Sequence, residues 1–221
     1  MKGFWNAIFR RKAKPSQPTL RRIWSFRDED IVGYSLYGED SDTFMYDSVK
    51  DDPGLCPVCH NRVKFIVPGR TERIKKRAPL QSTYDGFYVV SESFKEFCQS
   101  NGYEGVTFTP LGGQPYYVIN VENVLYFDST YYDISGPKQI CCGDYYSLCG
   151  PEPFMLLEGQ HVPDDFIART DRMFATGRGR HPIIIIGLKT REKLEARGFK
   201  HLYYTNVYNK ILRPEIVVVK Q

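Results

Sequence analysis

The chain has 221 residues, 42% hydrophobic and 14% aromatic, which is enough apolar material to core one fairly large domain or two small ones. That composition excludes an intrinsically disordered chain, and no apolar run approaches the roughly 18 residues of a helical membrane span. The formal net charge of +4 is unevenly placed: residues 1–24 carry seven basic side chains and no acid, leaving −3 for the rest, so no uniform polyanion-binding surface follows.

The N-terminal run Phe4-Trp5-Asn6-Ala7-Ile8-Phe9 is too short and too polar for a signal-peptide core, and bases rather than a cleavage site follow it. Lys2 stands where N-myristoylation needs Gly. The expected location is therefore cytoplasmic, which favours metal ligation over disulfides. Residues 1–18 read as a basic tail ending in the linker Pro15-Ser16-Gln17-Pro18, and residues 19–221 as a single α+β domain.

Past the linker, Ile31 to Tyr37 is predicted as a strand. Asp28 to Asp52 holds nine acids against Lys50 alone, with a loop at Gly38-Glu39-Asp40-Ser41-Asp42. Val63 to Val67 alternates and stops at Pro68-Gly69, the pattern of a strand leaving a turn, and the stretch Arg62 to Arg77 carries seven bases against Glu72. Gly86 to Val90 is predicted as a strand, Ser91 as an N-cap, and Glu92 to Ser100 as a helix with Phe94, Phe97 and Cys98 facing inward, stopped by Asn101-Gly102.

Strands follow at Val106–Thr109, Tyr116–Val121 and Val124–Phe127, with Gly112-Gly113 as a turn. Near the end, Ile183 to Ile186 reads as a buried strand, Thr190 as the cap of a helix Arg191–Arg197 ended by Gly198, and His201 to Val207 as the next strand. Strand, two-turn helix, glycine, aromatic residue and strand thus occur twice. Neither helix is long enough to be stable alone, so each must lie on a sheet. The predicted fold is α+β, with a mixed, mostly antiparallel sheet, a few short helices and a zinc-ribbon-like cysteine clip.

Five of the six cysteines fall in two windows, Cys56-Pro57-Val58-Cys59 and Cys141-Cys142-Gly143-Asp144-Tyr145-Tyr146-Ser147-Leu148-Cys149-Gly150. A Cys-x2-Cys turn presents two thiolates at the bite that tetrahedral zinc needs, and a second pair completes the set. Adjacent strand residues point opposite ways, so only one of Cys141 and Cys142 is expected to ligate. Cys142 is preferred because Gly143 can relax the turn. The expected ligands are Cys56, Cys59, Cys142 and Cys149 around one structural zinc per chain, with His60 as an alternative donor.

A redox reading of Cys56-Pro57-Val58-Cys59 requires a helix after the motif, where the sequence gives a strand pattern. A nucleobase-deaminase reading lacks the His-x-Glu that would supply a third ligand and a proton shuttle. Cys98 reads as a core residue.

His60, His161, His181 and His201 show no ligand spacing, and no nucleophile elbow, phosphate-binding loop or dinucleotide fingerprint is present. Gly177-Arg178-Gly179-Arg180-His181 has the glycine-spaced arginines of a phosphate grip, although its place before a buried strand suits an ordinary turn. Asp164, Asp165 and Asp171 lie near Arg169 and Arg172 and are accounted for by salt bridges. No constellation specifies an enzyme.

Residues Tyr88-Val89-Val90-Ser91-Glu92-Ser93-Phe94, Gly105-Val106-Thr107-Phe108-Thr109-Pro110, Tyr117-Val118-Ile119-Asn120-Val121, Asp164 to Asp171 and the unit from Ile183 to Val207 together carry a resemblance. In this order, the segment from about residue 56 to 207 resembles the bacterial double-CxxCG-motif proteins, related to the immunity proteins of polymorphic-toxin systems. The sequence departs from the double motif in two places: His60 rather than Gly follows Cys59, and six residues separate Cys142 from Cys149.

The resemblance implies a cytoplasmic, non-catalytic protein that binds and neutralises a cognate protein toxin. On that reading Asp40, Asp42 and Asp47 are candidate partner-binding residues, because a toxin that handles nucleic acid presents bases. The rival reading is a zinc-ribbon nucleic-acid binder using the N-terminal bases, Arg62 to Arg77, Arg178 and Arg180.

Overall fold

The computed structural model describes residues 19–68, 74, 78–209 and 212–219, with the backbone alone for 19–25 and 212–219. The expected basic tail and residues 69–73 and 75–77 of the basic stretch lie outside the described residues. The chain divides into two units. In one, β1 (Thr19–Ser25) pairs antiparallel with the last strand, β15 (Leu212–Val219). The other, Arg27–Lys210, carries the two larger sheets, both α-helices and the cysteines.

This body is α+β. Its larger sheet runs in the order β11 (Phe154–Met155), β14 (Tyr203–Tyr208), β2 (Ile31–Tyr37), β13 (His181–Ile186), β12 (Ile167–Thr176), β10 (Tyr145–Cys149) and β9 (Asp133–Lys138), with β8 (Val124–Leu125) beside β12. The smaller sheet runs β3 (Glu39–Asp40), β4 (Leu80–Ser82), β5 (Tyr88–Ser91), β7 (Tyr116–Val121) and β6 (Val106–Pro110). Most neighbours are antiparallel, while β3–β4, β8–β12 and β11–β14 are parallel. Among the described residues the two α-helices are α1 (Glu92–Ser100) and α2 (Leu188–Ala196). No helix among the described residues is long and apolar enough to cross a membrane.

The repeated pattern in the sequence has a common topology. From β5 the chain passes through α1 to β6, and β7 lies between those strands, antiparallel to both. From β13 it passes through α2 to β14, and β2 lies between them in the same way. Each unit is a split β-α-β crossover, which lays its short helix across the sheet that stabilises it. Ser91 caps α1 by accepting from the Phe94 amide, and Gly102 follows the helix at φ 68°.

Both crossover strands are buried on two faces, hence their unbroken apolar runs. Tyr88, Val90, Ile184 and Ile186 face a central core that also takes Phe94, Phe97 and Cys98 from α1 and Leu194 from α2. Phe87 and Val89 face a second cluster, and Ile183 and Ile185 a third. The aromatics after the two glycines, Tyr103 and Phe199, meet Phe97 at ring separations of 5.9 and 5.8 Å. Full burial of one such side chain is worth about 1.5–3 kcal/mol.

Three local expectations are corrected. Helix α2 begins at Leu188 behind Gly187, so Thr190 lies within its first turn rather than at its cap. The Thr190 hydroxyl, fully buried, accepts from the Phe166 amide at 3.0 Å and lies 2.9 Å from Asp165 Oδ1. It fastens the helix to the segment before β12. Val63 to Val67 joins no ladder, because the Val63 and Lys64 amides both turn back to the Gly54 carbonyl. Val124–Phe127 is cut to the two residues of β8, and Phe127 makes an isolated bridge to Leu156.

Candidate metal centre

The first half of the centre is a loop closed at its base by the antiparallel bridge Leu55↔Arg62. The Cys56 amide donates to Asn61 O at 2.8 Å, and the His60 amide donates to Cys56 O at 2.9 Å, with His60 in the left-handed region at φ 59°. Amides of Cys59 and Val58 point at the Cys56 sulfur. In such a turn backbone N–H groups stabilise a thiolate. Gly54 lets the two arms approach: a β-carbon there would lie 2.3 Å from the Lys64 carbonyl oxygen.

The second half is the loop of the β9–β10 hairpin. The Gln139 amide donates to Asp144 O at 2.7 Å and the Gly143 amide to Gln139 O at 2.8 Å, with Gly143 at φ 71°. Cys141 and Cys142 therefore sit on a tight turn, where neighbouring side chains need not point opposite ways, and both thiols reach the first loop.

The sulfurs of Cys56, Cys59, Cys141 and Cys142 all lie within 4.8 Å of one another, and those of Cys59 and Cys142 are 3.6 Å apart. Bonds of 2.3 Å to a tetrahedral ion place sulfurs about 3.8 Å apart. Four cysteines thus lie close enough to hold a metal ion, and the all-sulfur donor set suits a soft or borderline cation.

Two of the expected donors are corrected. Cys149 is exposed on β10 opposite Asp133, outside the cluster, and Cys141 takes the place assigned to it. His60 is exposed and also outside the cluster, because its backbone closes the turn.

Crowding spreads the thiol acidities. Amides of Cys59 and Val58 lower Cys56 to about 7, whereas burial pushes Cys59 up to about 12. Cys141 is raised: a hydrogen bond with Cys59 opposes the rise, but burial and the adjoining Cys56 and Cys142 outweigh it. A divalent cation relieves this competition by stabilising all the thiolates together. Cys98 lies apart in the central core, its thiol pushed up to about 12 by burial.

Residues that join the loops to the body were not anticipated as part of the centre. Asn61, fully buried, donates from Nδ2 to Tyr145 O at 3.0 Å, with the same nitrogen 3.9 Å from the Cys142 sulfur. Arg62 and Asp52 form a fully buried ion pair at 2.6 Å, and Arg62 also donates to Arg178 O at 3.0 Å and lies over the Phe87 ring. Arg180, fully buried, holds Asp144 at 2.6 Å and Met173 O at 3.0 Å. Asp144 lies two residues beyond Cys142, so this pair orients the second loop. Asp52, Arg62 and Asp144 stand close to the cysteines in sequence, whereas Arg180 lies far along the chain, and none of the four differs in type from an ordinary surface charge.

The arginines weighed as phosphate ligands have other roles here. Arg62 and Arg180 are internal, and the Arg178 guanidinium lies 3.9 Å over the Phe44 ring. Asp165 pairs with Lys193 and Asp164 with Lys189 on α2, and Asp171 pairs with Arg172.

Asp40 ends β3 and Asp42 and Asp47 follow it, all three exposed and none of them in the cysteine cluster. Buried Asp85 fixes this segment by accepting from the Met45 and Tyr46 amides at 2.9–3.0 Å. Asp40 accepts from the Asp42 amide, and Asp42 accepts from the Tyr84 hydroxyl. The exposed rings of Phe44 and Tyr84 meet edge-on at 5.1 Å. No family model and no curated protein matches the chain.

Proposed function

We propose that Cys56, Cys59, Cys141 and Cys142 hold one structural zinc ion, and that the chain is a non-catalytic cytoplasmic binding protein which neutralises a cognate bacterial toxin. The observation that carries the reading is the convergence of four sulfurs from two loops. Four protein thiolates fill a tetrahedral ion and leave no position for water or substrate, so the ion staples rather than reacts.

The exposed surface is then available for recognition. Asp40, Asp42 and Asp47 lie on the same stretch of chain as exposed Phe44, Asp42 accepts from the hydroxyl of exposed Tyr84, and Asp85 fixes the stretch through the Met45 and Tyr46 amides, an acidic surface suited to a basic protein. The immunity role comes from the family resemblance. The nucleic-acid reading loses support because Arg62 and Arg180 are spent on internal ion pairs.

Co-expression with the product of a toxin gene found beside this one tests the reading. Protection of the host is expected from the native chain, with protection weakened by Asp40→Lys, Asp42→Lys and Asp47→Lys together. Unchanged protection by that triple variant would remove the acidic surface from the account. Steeply salt-dependent binding to DNA or RNA would favour the rival.

A further inference from the structure

We propose a second site in the body of the protein, one that takes a small molecule with an apolar frame and a single carboxylate. A cavity of about 440 Å³ opens among β5, β6, β7, β12, β13 and the segment after the first cysteine loop. Its volume falls in the range of small-molecule sites. No cysteine lines it, so it is separate from the metal centre.

The walls are mixed, with Val67, Val121, Met173 and Ile184 on the apolar side and Thr107, Thr109 and Asn120 on the polar side. The charged residues lining it are Lys64 and Arg169, and no acid does. Arg169 is held by hydrogen bonds from Nε to Val121 O at 2.9 Å and from Nη1 to Thr170 O at 3.1 Å. Its remaining terminal nitrogen has no ion-pair partner among the described residues, and neither has Lys64. Two cations beside a half-apolar wall, with no acid among the described lining residues, select an anion that brings its own hydrocarbon.

Octanoate is the probe, with octanol and octylamine as controls of the same length, titrated into the full-length protein and followed by amide NMR shifts. Saturable binding at one site is expected for octanoate alone, with shifts at Thr109, Val118 and Val121. Arg169→Met should weaken it by about tenfold. Thr109→Trp, from an exposed lining position on β6, should abolish it while leaving the Arg169 hydrogen bonds in place. This second variant decides the matter if Arg169→Met does not fold. Absence of saturable octanoate binding, equal binding of either control, or binding unchanged in Thr109→Trp overturns the proposal.

Discussion

Asn61 Nδ2 donates to the Tyr145 carbonyl at 3.0 Å, joining the turn that carries Cys56 and Cys59 to the hairpin that carries Cys141 and Cys142. The two loops are thus registered by protein atoms as well as by any ion between them. Asn61→Ala should leave the Tyr145 carbonyl short of a donor and cost about 1–3 kcal/mol. Urea unfolding measures the loss, and a chromogenic chelator should remove metal faster from the variant than from the native protein.

The Arg62–Asp52 pair, at zero exposure, supports the same loop from below. Arg62→Met should destabilise the fold by about 3–5 kcal/mol, because it strands a buried carboxylate. Combining it with Asp52→Leu should recover much of that loss in denaturant titrations. Equal stability of the single and double variants would argue against a coupled pair.

Thr190 tests how α2 is anchored. Thr190→Val keeps the shape but leaves the Phe166 amide without its acceptor, at a cost of about 1–3 kcal/mol, whereas Thr190→Ser should stay close to native. A cap-only role would give a smaller loss and no distinction in amide exchange at Phe166.

His181 supplies a pH dependence. Burial lowers its pKa below the ordinary 6.5, with the Gly179 carbonyl at Nδ1 opposing the shift and the Arg62 charge adding to it. In the unfolded chain the ring takes up its proton near 6.5, whereas the folded protein resists protonation. Its contribution to stability is therefore present above 6.5 and lost as pH falls from there through the lowered folded value. The ring-proton NMR titration should show a midpoint below 6.5, and His181→Gln should flatten the stability profile over that window.

The strands and α1 were legible where local signals agreed. Ile31–Tyr37, Tyr116–Val121 and Glu92–Ser100 emerge with the expected bounds because alternation, the Ser91 cap and the Gly102 stop point the same way. Thr190 misled because Ser and Thr mark helix caps by the same hydroxyl that here binds a distant segment. The ten-residue β12 was hidden by its charges, Arg169, Asp171 and Arg172, which interrupt the apolar pattern. At the metal centre, the first loop was readable from Cys-x2-Cys. The second was not, since the choice of Cys142 and Cys149 assumed a strand at Cys141-Cys142 where the chain makes a hairpin turn. The buried charges that hold both loops show only as ordinary surface residue types until Arg62 and Arg180 are seen at zero exposure.

Elemental analysis combined with native mass spectrometry tests the central claim most directly. One zinc per chain is expected, lost or weakened in Cys56→Ser, Cys59→Ser, Cys141→Ser and Cys142→Ser, and retained in Cys149→Ser. A metal-free protein, or zinc that survives Cys141→Ser and disappears in Cys149→Ser, would contradict it.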